Sequence, residues 1–166
     1  RSDEMVVSSD FKSINAVTTG LSEIHSMNMN PTNMFTQWYP LYSCINYCNL
    51  VLEKGEEVMK IDPNYTMGDW QANKAQVTAL KALCYFYLVR VFRDVPVTPH
   101  AYVNSSDNFL EPQKAPAEVL QMCINDLESV INGAPNNNAY GDSRDRGLFN
   151  KDGINALLAD IYLWRA

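Results

Sequence analysis

Aromatic side chains in predicted turns and loops are the residues of this sequence best suited to binding chemistry. Five of them stand out: Tyr65, Trp70, Tyr102, Phe109 and Tyr140. An aromatic ring has an apolar face that stacks on the apolar face of a sugar, while Asn and Asp side chains hydrogen-bond sugar hydroxyls. We take Trp70, Tyr102 and Tyr140 as candidate ligand-binding residues. The competing interpretation is that Tyr65 and Trp70 hold a hairpin turn against the core.

Residues suited to catalysis or metal binding are scarce. Asp142, Asp145 and Asp152 lie in a polar stretch and carry the oxygen ligands that a hard cation such as calcium prefers. Their spacing does not match an EF-hand, and the interspersed arginines would neutralise a cation site, so we predict a solvated loop. The sequence lacks GxGxxG, Walker, HExxH and GxSxG motifs. We therefore predict no catalytic residue, no metal, no cofactor and no enzymatic activity.

The four cysteines are Cys44, Cys48, Cys84 and Cys123. Cys44 and Cys48 are four residues apart on a predicted helix, which places them on one face but does not favour a disulfide within that helix. A zinc site would need a CxxC pair or neighbouring histidines, which the sequence does not offer. We predict free thiols that pack as small apolar residues.

The composition is that of a globular chain. Of its 166 residues, 46% are hydrophobic and 19% are charged, which is enough apolar surface to bury a core. The formal net charge of −6 repels phosphate backbones, and no Lys/Arg cluster offsets it, so we predict no nucleic-acid partner. Lys81 and Arg90 interrupt the most apolar run, which leaves it short of the roughly 20 residues of a membrane helix.

The elements that must position these residues are helices. The most apolar stretch, residues 79–97, contains no Gly or Pro before Pro96, and the helix ends there because a residue before proline avoids helical dihedrals. No strand of period two stands out. We predict an all-α fold of antiparallel helical hairpins, tetratricopeptide-like although the strict 34-residue consensus is absent. The predicted helices are 9–27, Met34 to Lys60, Asp69 to Asp94, Pro116 to Asn132, and from Asn150 onward.

The same periodicity predicts which side of each helix faces the core. Residues on a single face of the second helix are Trp38, Tyr42, Ile45, Asn49 and Leu52. The apolar stripe of the fourth helix is Val119, Leu120, Cys123, Ile124, Leu127 and Val130, and the last helix is predicted to bury Ile154, Leu157, Leu158, Ile161 and Tyr162. Pro40 is tolerated in a first turn and would kink the helix elsewhere. Ser9 or Asp10 is the predicted cap of the first helix.

Four segments in order carry a resemblance to a known family. Residues 76–97, from Gln76-Val77-Thr78 to Asp94-Val95-Pro96-Val97, resemble the signature E-A-x-F-L-R-A-x-x-Y-F-x-L-V-x-x-F-G-D-V-P-L of the SusD/RagB family. The helix from Trp38 to Asn49, residues 115–127 and the helix from Asn150 to Leu163 resemble three further family segments. The sequence departs from the signature at Gln76 for Glu, Lys81 for Arg and Arg93 for Gly. Without glycine a left-handed turn is strained, so we expect the helix to end differently here.

The resemblance implies a cell-surface lipoprotein that captures glycans or other nutrients above a SusC-like, TonB-dependent outer-membrane transporter. It also implies a lipid-bearing cysteine before Arg1, a tetratricopeptide-like helical fold and a ligand surface built by family-variable loops. Because family members are longer, and the last helix continues to Ala166, we expect residues 1–166 to be a single helical domain at the N-terminal end of a longer protein. No binding residue carries over, since the matched segments belong to the scaffold.

Two other classes of function remain open. A helical-repeat scaffold that binds only proteins agrees equally well with the lack of catalytic groups. A helix-rich carbohydrate enzyme would need paired carboxylates facing a cleft, and the sequence offers no convincing pair.

Overall fold

The computed structural model describes residues 15–28, 30, 32–104, 106–107, 109–137 and 139–165. The chain divides into two compact units, residues 1–40 and residues 41–166. The organisation of residues 1–166 as a single domain stays a prediction.

The first unit contains helix α1, Asn15–His25, and a short 3-10 helix, Met34–Thr36. Asn33 connects the two. Its amide nitrogen donates to the Gly20 carbonyl at 2.9 Å and to the Glu23 carboxylate at 2.8 Å, while its amide oxygen caps the 3-10 helix by accepting from the Phe35 N–H. The predicted start of the first helix and its cap at Ser9 or Asp10 lie outside the described residues.

Among the residues that the structure describes, the remaining elements are helical apart from one pair of two-residue strands. The helices are α2, Tyr39–Ile61; α3, Met67–Phe92; α4, Pro116–Val130; a short 3-10 helix, Ile131–Gly133; α5, Arg144–Gly147; and α6, Lys151–Arg165. Strand β1, Val95–Pro96, pairs antiparallel with β2, Gln113–Lys114. The prediction of an all-α, tetratricopeptide-like fold is confirmed.

Helix boundaries depart from the sequence prediction where local capping decides them. α2 begins at Tyr39 and not at Met34, so Pro40 falls in the first turn, where its missing N–H is not needed. Trp38 therefore precedes the helix and is 47% exposed, so its predicted place on the helical face is wrong. α3 begins two residues earlier than predicted because Thr66 and Asp69 form a capping box.

The core of the second unit is built around α3. Tyr85, Phe86 and Leu88 are fully buried, and α3 packs most extensively against α4, which also contacts α6. All six predicted core residues of α4 are buried. On α6 the four aliphatic residues are buried, but Tyr162 is 43% exposed and donates its hydroxyl to Glu128, so its predicted core position is wrong.

The expectation that the most apolar run is too short for a membrane helix is corrected: by length and composition alone, α3 is long and apolar enough to cross a membrane. Half of its most apolar window is buried inside the protein, as in the core helix of a globular domain. The four cysteines are free, as predicted, and three of them are buried.

The residue that caps the C-terminal end of α3 is Arg93, at the position where the resembled signature has glycine. Arg93 donates its N–H to the Val89 carbonyl and adopts φ +68° and ψ −97°. A side chain disfavours positive φ. Arg93 therefore holds a disfavoured positive φ shortly before β1, and the expectation that the helix ends differently from the family pattern stays a prediction.

Candidate functional site

Side chains of α2 hold the first part, residues 97–102, of the loop that follows β1 (residues 97–112). Tyr42, Asn46, Asn49 and Glu53 follow one another at spacings of four, three and four residues, which aligns them along one side of the helix. We call these four residues the α2 polar row. Every member hydrogen-bonds the backbone of residues 96–102. The row therefore fixes a segment about 50 residues further along the chain.

Asn46 makes the most specific contact of the α2 polar row. Its amide oxygen accepts from the Tyr102 N–H at 2.7 Å, and its amide nitrogen donates to the Tyr102 carbonyl at 3.0 Å. One side chain thus satisfies both backbone groups of Tyr102, as a neighbouring strand would. Beside it, a Glu53 carboxylate oxygen accepts from the Ala101 N–H at 2.7 Å.

The other members of the row and one residue of α3 hold the start of the loop. Asn49 donates to the carbonyls of Thr98 and His100 at 3.2 and 3.0 Å, and Tyr42 donates its hydroxyl to the Pro96 carbonyl at 2.8 Å. From α3, the Tyr85 hydroxyl accepts from the Thr98 N–H at 3.0 Å. Burial raises the pKa of Tyr85, so its hydroxyl stays protonated.

Three rings come together on the loop, and we call them the aromatic cluster. The Tyr102 ring lies 4.7 Å from the His100 ring and 5.0 Å from the Phe109 ring, centroid to centroid, with interplanar angles of 59° and 41°. Both distances are those of favourable aromatic pairs. Phe109 is 60% exposed, so part of the cluster remains open to a ligand.

A carboxylate borders the aromatic cluster. The Tyr102 hydroxyl donates to a Glu111 carboxylate oxygen at 2.7 Å. Desolvation, followed by this hydrogen bond to Glu111, raises the pKa of Tyr102 to about 12. Tyr102 is therefore a neutral donor at physiological pH, and Glu111 keeps lone pairs free for a second donor. An apolar ring surface beside a hydrogen-bond acceptor is the chemistry with which proteins bind sugars.

Trp70, a predicted ligand-binding residue, lies in the interior. It is 3% exposed, and its ring occupies a notch that exists because residue 55 of α2 is glycine. No ring face is left for a sugar. The prediction that Trp70 binds ligand is therefore corrected: Trp70 is a core residue that joins α2 and α3. Tyr65 accepts from the Asn73 amide at 2.8 Å. These positions agree with the alternative that the two rings serve the hairpin turn.

Tyr140 lies on a different loop, directly before α5. It is 36% exposed, and its N–H donates to the Asp145 carboxylate at 3.0 Å, as does the N–H of Gly141 at 2.7 Å. Asp145 thus caps the loop through hydrogen bonds to the backbone. Tyr140 and the aromatic cluster lie on separate segments, and the role of Tyr140 in ligand binding stays a prediction.

Sequence reasoning missed both the α2 polar row and two partners of Tyr102, His100 and Glu111. The detectable signal was Asn49 within an otherwise apolar helical face, with Asn46 and Glu53 in register beside it. A buried amide needs hydrogen-bond partners, but the sequence does not say that a loop 50 residues away supplies them.

Other arrangements in the described part of the chain offer less. No group of three or more His, Cys, Asp or Glu side chains there is placed to hold a metal ion. An open groove of about 540 Å³ runs along α4 and is lined by Ala117, Glu118, Gln121, Met122, Asn125 and Asp126. It has no aromatic lining residue, so the aromatic cluster is the better candidate for stacking on a ligand.

Comparison with known proteins gives one consistent group of relatives. A family model for SusD-like proteins, described as starch-binding and associating with the outer membrane, matches residues 2–163. A SusD-like protein of Formosa agariphila is 31% identical over 105 residues, which are 62% of this chain and 19% of that protein.

Solved structures agree with the sequence match. A SusD superfamily protein of Bacteroides thetaiotaomicron has a TM-score of 0.72 and 27% identity, over 96% of this chain and 36% of that one. A laminarin-binding SusD-like protein has the same TM-score and identity, over 89% of this chain and 30% of that one. The chain thus spans about a third of the length of these solved relatives.

Proposed function

The chain belongs to the SusD-like family, and on that premise we propose that it captures a glycan with the aromatic cluster of the 97–112 loop. The observation that carries the proposal is the open Phe109 ring, which packs at a tilt against Tyr102, whose backbone is held by Asn46 of the α2 polar row. The Tyr102 ring is thus prepositioned, and a prepositioned ring loses little conformational entropy on binding. The laminarin-binding relative supports a glucan as the first ligand to test.

The binding mode follows from the two kinds of surface in the site. The exposed face of Phe109 stacks on the apolar face of a sugar ring, and sugar hydroxyls donate to the Glu111 carboxylate, which Tyr102 holds in place. Such a site binds and releases its ligand without breaking bonds, and we propose that the protein is not an enzyme.

The wider setting of the capture is part of the same proposal. Residues 1–166 form the N-terminal part of a longer SusD-like protein, which a lipid anchor ahead of Arg1 holds on the outer surface of the outer membrane. The captured glycan passes to a SusC-like, TonB-dependent transporter. The family description, which names association with the outer membrane, supports this placement. Co-purification of the transporter with the protein from membranes tests it.

Calorimetry with laminarin and soluble starch tests the glycan site directly. Phe109 exposes 60% of its surface, and covering about 60 Å² of one ring face at 25 cal/mol/Å² contributes roughly 1.5 kcal/mol. Phe109→Ala is therefore expected to weaken binding about tenfold. Tyr47→Ala, which removes a somewhat more exposed ring (69%) from α2, is the control and is expected to bind normally. Tyr140→Ala decides whether Tyr140 contributes.

A protein-binding scaffold is the second candidate, and one surface favours it. Tyr87 of α3 and Leu163 and Trp164 of α6 are exposed, and the Arg90 guanidinium lies 4.8 Å from the Trp164 ring centroid. Exposed apolar side chains next to a cation are typical of protein interfaces. Absence of glycan binding together with loss of partner co-purification in Trp164→Ala would favour the scaffold.

A further inference from the structure

Three carboxylates lie within the immediate surroundings of the aromatic cluster. Glu111 accepts from the Tyr102 hydroxyl at 2.7 Å, and Glu53 accepts from the N–H of the residue before Tyr102 at 2.7 Å. Asp107 accepts from the N–H groups of the two residues after Tyr102, each at 2.9 Å. All three acceptors are thus tied to residues 101–104, by contacts that fix where their negative charges lie.

Within the described residues, no Lys or Arg forms an ion pair with these carboxylates. Residues 97–112 contain neither Lys nor Arg. Within the described part of the chain, the ion pairs shorter than 4.0 Å join Lys54 to Glu57 and Arg90 to Asp160, and neither includes Glu53, Asp107 or Glu111. The formal net charge of the whole chain is −6, so the surrounding field has the same sign as the site.

We infer that the aromatic cluster selects uncharged glycans and rejects glycans that carry carboxylate or sulfate groups. The inference rests on the proposed glycan capture and specifies its ligand class. A neutral sugar offers hydroxyl donors to these carboxylates, whereas an anionic sugar meets like charges with no Lys or Arg in the loop to pair with. In a water-like dielectric, each like-charge pair about 7 Å apart lowers affinity roughly threefold before screening. Two or three such pairs lower it about tenfold at low salt.

Matched glucans test this selection. Laminarin and soluble starch, each in native and carboxymethylated form, are titrated into the intact protein at about 10 mM and about 500 mM salt. The native glucan is expected to bind about tenfold more tightly than its carboxymethylated form at low salt, and the difference is expected to shrink at high salt because screening shortens the range of the repulsion. Equal or tighter binding of the carboxymethylated glucan overturns the inference alone. Binding of neither form overturns the proposed glycan capture as well.

A charge-neutralising variant separates the local effect from overall charge. Glu111→Gln keeps an oxygen that accepts from Tyr102 but removes the negative charge, so it is expected to raise the affinity for the carboxymethylated glucan about threefold. Glu118→Gln, which makes the same change in net charge on the exposed surface of α4, is the control and is expected to leave the ratio unchanged. Equal effects of the two variants would show that overall charge, not the site, sets the preference.

Discussion

Replacing Asn46 by alanine tests whether α2 positions the candidate ligand loop. The substitution removes both hydrogen bonds to the Tyr102 backbone, at 2.7 and 3.0 Å. At a net 0.5–1.5 kcal/mol for each bond, the loop loses about 1–3 kcal/mol of stabilisation relative to its detached state. Its opening equilibrium then shifts by a factor of roughly 5 to 150.

Hydrogen exchange is the assay that reports this change residue by residue. In Asn46→Ala the amides of residues 98–104 are expected to exchange faster by the same factor, while those of α4 keep their protection. Glycan affinity is expected to fall in parallel, because a mobile loop loses conformational entropy when a ligand orders it.

Asn73→Ala is the matched control for Asn46→Ala. It removes one exposed Asn hydrogen bond, to Tyr65 at 2.8 Å, far along the sequence from the loop. It is expected to leave exchange at residues 98–104 unchanged. Unaltered exchange in Asn46→Ala, or loss of glycan affinity with unaltered exchange, would refute the positioning role of the α2 polar row.

Three further predictions concern packing, backbone strain and ionisation. Gly55→Ala is expected to destabilise the protein by about 1–3 kcal/mol in urea denaturation because a Cβ would overlap the Trp70 ring. Gly147→Ala, with open space around it, is the control and is expected to leave stability unchanged. Equal destabilisation by the two variants would contradict the close packing of Trp70 on Gly55. Arg93→Gly is expected to raise the free energy of unfolding by about 1 kcal/mol by relieving the positive φ, and a lower urea midpoint would contradict that strain. Tyr102 has a pKa raised to about 12 from the ordinary 10.0, so the stability it contributes is fully present below pH 10 and is lost as pH rises through about 12. An ultraviolet titration compared with that of Tyr102→Phe measures this pKa, and a difference spectrum centred at pH 10 would contradict it.

Much of the fold could be predicted because apolar residues that recur at helical spacing are the residues that a helix buries. The six apolar positions of α4, from Val119 to Val130, recur at helical spacing and are all buried. The predicted start of α3 was wrong because capping sets it: Thr66 extends the helix by accepting from the Asp69 N–H. The predicted burial of Tyr162 was wrong for a different reason, since this residue lies at the exposed edge of α6 despite its apolar ring.

The candidate site could be predicted only in part. Tyr102 was identifiable as a loop aromatic, but Trp70, another aromatic residue beside a predicted turn, is buried at 3% exposure because Gly55 leaves room for its ring. The role of Asn46 depends on a contact across 56 residues of sequence. Local patterns cannot specify which loop satisfies a buried amide, since tertiary packing selects the partner.

Titration of a neutral glucan into the protein and into Phe109→Ala tests the central claim most directly. The account predicts measurable binding of laminarin or soluble starch, about tenfold weaker in Phe109→Ala and unchanged in Tyr47→Ala. Binding that is equally strong in Phe109→Ala would contradict the placement of the site in the aromatic cluster.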